Sequence, residues 1–428
     1  MAQAHITAWL ARAHPAVFTM VAGTAGFAAY FAMYAFRKPF TAAAFDHVAG
    51  WPFSLDYKIA LIIAQVAGYA LSKIIGVKVV AEIAPHRRAG AILMLIGLAW
   101  AALIAFAALP AVLGPLALFV NGAALGMIWG LVYGFMEGRR VTEALAAMMC
   151  ASFIVSSGVV KSVGASLMLA GLATQTTMPA MTGALFVPVL LASVWVLVRL
   201  PPPSPADEAA RVHRAPMDGP ARRAFMRDHA PGLALIIFAY VLLTAFRDFR
   251  DNFAAELWVA LGHGREPGIF SASEVPVAVL ALTGMALVIR VKDNARALIV
   301  IHAMVAGGFV LLGLATLAFA AGWISALWWM ILAGSGLYVA YNPINAVLFD
   351  RMVAASGRVA NAGFLIYLAD SFGYAGSVAL LLWRNLMVVR LDWLQFFITG
   401  AYVTSVVGTL ATALAAVWFW RHDAKGRR

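Results

Sequence analysis

An arginine embedded in apolar sequence occurs once in each half of this chain. The first copy reads Ala35-Phe36-Arg37-Lys38-Pro39-Phe40-Thr41-Ala42. The second reads Ala245-Phe246-Arg247-Asp248-Phe249-Arg250-Asp251-Asn252-Phe253-Ala254-Ala255. Matching Arg37 to Arg247 gives an offset of 210 residues, and matching it to Arg250 gives 213, against a chain of 428. A guanidinium suits an oxyanion, because its planar fork donates two parallel hydrogen bonds to a phosphate or carboxylate.

The surroundings make these charges costly. The chain is 63% hydrophobic and 12% charged, with mean hydropathy +0.88, where soluble domains run near 25% charged. Apolar runs recur along the whole length, which predicts an all-α, polytopic membrane protein. They are continuous and rich in Ala, Leu and Gly, which argues against a β-barrel. Twelve apolar segments are expected, at 16–45, 56–83, 89–109, 111–136, 143–172, 179–199, 231–259, 270–290, 295–319, 323–349, 358–383 and 392–420. The N-terminal stretch shows no cleavage pattern, so the first segment reads as a retained helix. A lone cysteine, Cys150, excludes a disulfide within the chain and a thiolate metal site. No catalytic constellation, nucleotide loop or zinc spacing appears. The chain reads as neither an enzyme nor a metal or cofactor protein.

The net charge of +12 follows topology and not nucleic acid. With the N-terminus inside, 21 of the 31 Lys and Arg fall on inside segments. Only Lys58, Arg265, Arg384 and Arg390 fall outside. Both termini are therefore expected in the cytoplasm of a cell membrane. A Pro-rich polar stretch, 201–230, divides a six-segment half, 1–200, from a second half, 231–428.

Six basic residues remain within apolar segments: Arg37, Lys38, Lys73, Lys161, Arg247 and Arg250. Arg37 can be read as marking a helix end and snorkelling to the interface. The pattern, however, continues from Thr41 to Phe45, and Arg37 to Asp46 spans the same nine residues as Arg247 to Glu256. Both arginines are expected well inside their helices, facing a cavity. Arg247 and Arg250 share a helix face, and Asp251, four residues from Arg247, is the expected partner for it. A plainer reading makes these charges a self-neutralised network. Lys161 and Asp370, near the middles of the fifth and eleventh segments, are expected to pair or to carry a coupling proton. Tyr34 and Tyr69 lie one turn from Arg37 and Lys73 and join the candidate site.

Four stretches resemble the major facilitator superfamily and, within it, the organophosphate:phosphate antiporters. They are Phe36-Arg37-Lys38-Pro39-Phe40, then Tyr69-Ala70-Leu71-Ser72-Lys73-Ile74-Ile75-Gly76, then Asn121-Gly122 with Gly126-Met127 and Trp129, and Tyr341 and Pro343 with Phe372-Gly373-Tyr374-Ala375-Gly376-Ser377. The resemblance implies twelve transmembrane helices in two pseudo-symmetric six-helix bundles. It also implies one anion-binding arginine from the first helix and one from the seventh. The family match favours Arg247, and the Phe-Arg-x-x-Phe repeat favours Arg250. By the same resemblance, Lys38 would gate the site by pairing with Glu274 or Asp251, and Lys73 would line the cavity. The chain departs from the branch at Ala81–Arg88, which lacks the usual Asp-Arg, and in the fifth segment, which has Lys161 and no histidine.

These features predict a monomeric secondary transporter of a small organic anion, a phosphate ester or a carboxylate, with phosphate or a proton as coupling ion. The alternative is a non-transporting membrane sensor of such an anion on the same fold.

Overall fold

The computed structural model describes residues 2–205, 207, 219–356, 362–387 and 391–426. Glu208, Arg211, Arg214 and Asp218 of the polar stretch lie outside the described residues, as do Arg358 and Arg390. The described chain is helical. Among the described residues, eleven helices are long and apolar enough to cross a membrane.

The first half opens with a short helix, α1 (Ala2–Arg12). The spans follow as α2 (Pro15–Tyr34), α3 (Tyr57–Glu82), α4 (Arg88–Ala108), a broken pair α5 (Gly114–Leu125) and α6 (Ile128–Tyr133), α7 (Thr142–Leu169) and α8 (Met178–Leu197). The second half holds α9 (Gly219–Asn252), a short α10 (Ala254–Ala260), α11 (Ile269–Arg290), α12 (Asn294–Ala320), α13 (Ala326–Pro343), α14 (Phe349–Ser356), α15 (Ala362–Leu386) and α16 (Trp393–Gly426). Proline opens α2, and side-chain caps start others: Asp56 accepts from Ile59 N at 3.0 Å, and Asp293 from Arg296 N at 2.8 Å.

The tenth span is the one that falls short of the other eleven. Pro343 interrupts it, a π-helical turn follows over Ile344–Leu348, and α14 continues. Its second half carries Tyr338, Tyr341, Asn342 and Asn345, which dilute its apolar character. π-turns of this kind arise where the backbone must re-aim a side chain, frequently at functional sites.

The chain forms two compact units, residues 1–212 with 263–272, and residues 213–262 with 273–428. Each repeats one packing pattern. In the first unit α2 packs on α7 and α8, and α4 packs on α5. In the second, α9 packs on α15 and α16, and α12 packs on α13. Residues 219–230, expected as linker, are already helical at the start of α9. At the other end of the polar stretch, Asp207 accepts from Arg140 N at 2.9 Å and from Ser204 N and Oγ. Burial alone would raise its pKa. These donors and the nearby Arg139 charge hold the carboxyl below its ordinary range.

Candidate functional site

Arg37 does not sit inside a helix. α2 ends at Tyr34, Ala35 to Lys38 form turns, and Pro39 opens a 3-10 turn over Pro39–Ala42. The pattern expected to continue to Phe45 is broken, and Phe45 itself has φ +59°. The cause is Pro39, which lacks an N–H for the next helical bond and whose ring would clash with the carbonyl four residues back, at Ala35. Ending a helix there strips carbonyl oxygens of their partners, and the sequence supplies side chains to replace them. Asn121 Nδ2 donates to Phe36 O at 2.9 Å and to Ala99 O at 3.0 Å. Gln65 Nε2 donates to Arg37 O at 3.0 Å and to Asn121 Oδ1 at 2.8 Å. The Thr41 hydroxyl donates to Lys38 O at 2.8 Å, and Lys58 Nζ to Thr41 O at 3.0 Å.

This bracing depends on α3 and α5 lying backbone to backbone. A Cβ at Gly122 would collide with the backbone of Gln65 and Tyr69, so glycine is required there for the close approach. Asn121→Leu keeps the volume and removes both donors. It is expected to cost about 1–3 kcal/mol, read as a lower melting temperature of the detergent-purified protein. An unchanged melt would show that the turn stands without this bracing.

The braced turn presents the Arg37 guanidinium to two tyrosine rings, 4.0 Å from the Tyr69 centroid and 5.6 Å from that of Tyr34. Arg37 Nη1 lies 3.4 Å from the Tyr34 hydroxyl. The Tyr69 hydroxyl is 3.5 Å from that of Tyr30, and Lys73 Nζ lies 5.6 Å from the centroid of the Tyr69 ring. Cation–π contact of this kind holds a cation without neutralising it. Lys38 and Lys161 are both more than nine-tenths buried in this unit.

The second unit repeats the arrangement around Arg247, which does lie within its helix, α9. Its guanidinium is 3.8 Å from the Tyr341 centroid and 5.8 Å from that of Tyr338. The Tyr341 hydroxyl is 2.9 Å from that of Tyr240, with the rings stacked at 5.0 Å. Tyr240 precedes Arg247 by seven residues, as Tyr30 precedes Arg37. In each unit, then, a tyrosine one helix face below the arginine bonds a second tyrosine, and that ring carries the guanidinium. The 210-residue offset maps both members of the pair at once.

Two expectations are corrected here. Arg247 pairs with Asp248, at 2.8 Å, and not with Asp251 four residues on. The Asp248 carboxylate is fixed from α15 by the Ser377 hydroxyl at 2.8 Å, which turns it toward the guanidinium. Arg250 does not share the partly exposed position of Arg247. It is 1% exposed, forms an ion pair with Glu274 at 2.7 Å and donates to Met330 O at 2.8 Å. Glu274, expected as a gating partner of Lys38, is engaged by this arginine within its own unit. A Cβ at position 334 would strike the Arg250 guanidinium, so Gly334 makes the room. Asp251 is buried at the end of the same helix.

Asp370 is buried in the second unit. Its Oδ1 accepts from the Tyr240 hydroxyl at 2.6 Å and lies 3.3 Å from Asn345 Nδ2. Asn345, placed by the π-turn, also donates to the Tyr240 oxygen at 2.9 Å. One hydroxyl donates once, so Tyr240 gives its proton to the carboxylate and accepts from its neighbours. Tyr240, Tyr338, Asp248, Asn345, Gln65 and Ser377 are site neighbours that sequence reading missed. The seven-residue Tyr-to-Arg spacing in both halves is the signal that points to Tyr240.

Comparison with known proteins extends these observations. The family of unknown function DUF5690 matches residues 39–422. No curated protein matches. Solved structures match across nearly the whole chain. A D-xylose-proton symporter superposes with TM-score 0.60 at 16% identity, covering 95% of this chain and 98% of its own. The nucleoside transporter NupG gives 0.59 at 14%, covering 92% and 98%. A peptide transporter in complex with alafosfalin gives 0.59 at 13%, covering 97% and 98%. At such identities the likeness shows the fold, which is the twelve-helix fold of major facilitator transporters. The family match spans most of the chain, and the chain belongs to DUF5690.

Proposed function

We propose that this member of DUF5690 is a secondary transporter that carries a small organic anion across a cell membrane by alternating access, with Arg37 and Arg247 as the paired anion ligands. One observation carries the reading. The embedded stretches of the first unit hold Arg37, Lys38, Lys73 and Lys161, while in the sequence its acids, Asp46, Asp56, Glu82, Glu137, Glu143, Asp207, Glu208 and Glu266, fall at segment ends or between segments. Fixed cations in excess draw anions into a cavity. Arg37, braced by Asn121 and Gln65 and lying on the Tyr69 face, is a preorganised oxyanion donor.

Arg247 is the second ligand in preference to Arg250. Asp248 uses the Nε and Nη2 donors of Arg247 through one oxygen. Its Nη1 edge makes no hydrogen bond among the described residues and is available to an anion. Tyr34, Tyr69, Lys73 and Lys161 complete the site, and Lys38 and Asp251 act at its gate. Phosphate esters and carboxylates fit such donors, and exchange for phosphate is the coupling that the antiporter resemblance implies. Asp370, hydrogen-bonded through Tyr240, is the group that carries a proton where the coupling ion is a proton. The excess of Lys and Arg on one set of loops supports cytoplasmic termini.

A ligand that binds the native protein raises its melting temperature. Purified protein is expected to be stabilised by organic phosphates or carboxylates at millimolar concentration, and not by neutral sugars or nucleosides. Stabilisation by neutral solutes alone would overturn the anion reading.

A further inference from the structure

Away from the arginines, the second unit holds a cleft of about 1150 Å³ between α12 and α16. This exceeds the ~300–1,000 Å³ of ordinary small-molecule sites. Its walls include small side chains, Ala303 from α12 and Ala416 from α16. Ile299 and Trp420 flank it and are 61% and 71% exposed. On spans this apolar, an exposed face of Ile and Trp is a face turned to lipid, with Trp at the level of the headgroups. One end of the cleft is basic. Arg296 lines it and is exposed, and Lys292 and Arg421 stand exposed nearby in sequence at the ends of the same two helices. Asp293, an acid that also lines that end, accepts from Arg296 N as the cap of α12.

His302 lies six residues along α12 from Arg296, about 9 Å deeper along the axis, and is 4% exposed. Its Nδ1 is 2.8 Å from Leu298 O, an acceptor, so Nδ1 carries the proton in the neutral ring and Nε2 presents a lone pair. His302 lines the cleft, but its Nε2 is fully buried, so the imidazole is part of the wall. What fills this cleft must therefore be apolar along most of its length and anionic at the basic end.

We propose that the cleft binds one anionic phospholipid. The phosphate sits against Arg296, and an acyl chain lies along the alanine wall. A zwitterionic choline lipid lacks the net charge. Basic recesses between membrane helices are a recurrent way to hold acidic headgroups. The inference does not depend on the arginine clusters or on transport.

Native mass spectrometry of delipidated protein titrated with phosphatidylglycerol, phosphatidic acid or phosphatidylcholine tests it. One phosphatidylglycerol is expected to be retained at a concentration at least tenfold below that needed for phosphatidylcholine. Arg296→Gln, an exposed change that leaves the core intact, is expected to remove that preference. Phosphatidic acid, also anionic, is expected to be retained as phosphatidylglycerol is. Ala303→Trp or Ala416→Trp, each filling the cleft, is expected to abolish retention. Equal retention of phosphatidylglycerol and phosphatidylcholine by the wild type would overturn the proposal. So would full retention by an Arg296→Gln or a tryptophan variant that melts like the wild type.

Discussion

Replacing Glu274 by alanine is expected to lower the melting temperature of the detergent-purified protein by about 10 °C. The warrant is the environment of its partner. Arg250 is 1% exposed, and Glu274 meets it at 2.7 Å. Removing one member of a buried ion pair strands the other, at a cost of about 3–5 kcal/mol. For a unit of some 200 residues that corresponds to roughly 6–20 °C. Arginine always carries its charge, so no shift in protonation can relieve the loss. The remaining hydrogen bond, to Met330 O, satisfies one edge of the guanidinium but does not neutralise it. The paired replacement Arg250→Met with Glu274→Leu is expected to recover most of the loss, because a hydrophobic pair of similar volume dispenses with both desolvation penalties. Thermal unfolding of the three variants checks this. Should Glu274→Ala melt like the wild type while anion binding disappears, the pair belongs to the substrate site and not to the scaffold.

The same pair shows where sequence reasoning reached and where it stopped. That the chain builds twelve spans in two matched halves is legible, because apolar length and loop charge act locally and each span must satisfy its own backbone in lipid. The register of the second copy is half legible. The Phe-Arg signal alone leaves Arg247 and Arg250 both open. The tyrosines at positions 30 and 240, seven residues before Arg37 and Arg247, favour Arg247, because their hydroxyls meet Tyr69 and Tyr341. Other features depend on contacts between distant segments. Spacing favours Asp251 for Arg247, yet Ser377, 129 residues further on, turns Asp248 to the guanidinium instead. The break at Arg37 was foreshadowed by Pro39. Its tolerance was not, because the replacement donors come from Gln65 and Asn121 on other helices. The tenth span looks like an ordinary apolar run until Pro343 and the π-turn place Asn345 beside Tyr240.

The largest expected effect on activity is from lysine at either paired arginine. Arg37→Lys and Arg247→Lys each retain the positive charge, so the general attraction of anions into the cavity survives. What is lost is the fork that donates two parallel bonds and the flat cation that lies 4.0 Å from the Tyr69 ring and 3.8 Å from the Tyr341 ring. Hydrogen bonds to a charged partner contribute about 1.5–3 kcal/mol, so each change is expected to lower the kcat/KM of anion uptake by roughly 10–150-fold. Both side chains are partly exposed, and neither replacement creates a buried unpaired charge. Melting temperatures are therefore expected to stay within a few degrees of the wild type, in contrast to Glu274→Ala. Uptake of labelled organic phosphates and carboxylates into proteoliposomes measures the effect. Under the proposed function both arginines act on one anion, so the double variant is expected to fall short of the product of their losses. Undiminished uptake in both single variants would remove these arginines from the site. A full loss at Arg37 with none at Arg247 would leave the first unit as the sole anion ligand, and the repeat in the second unit would then serve Asp248 and Asp370 alone.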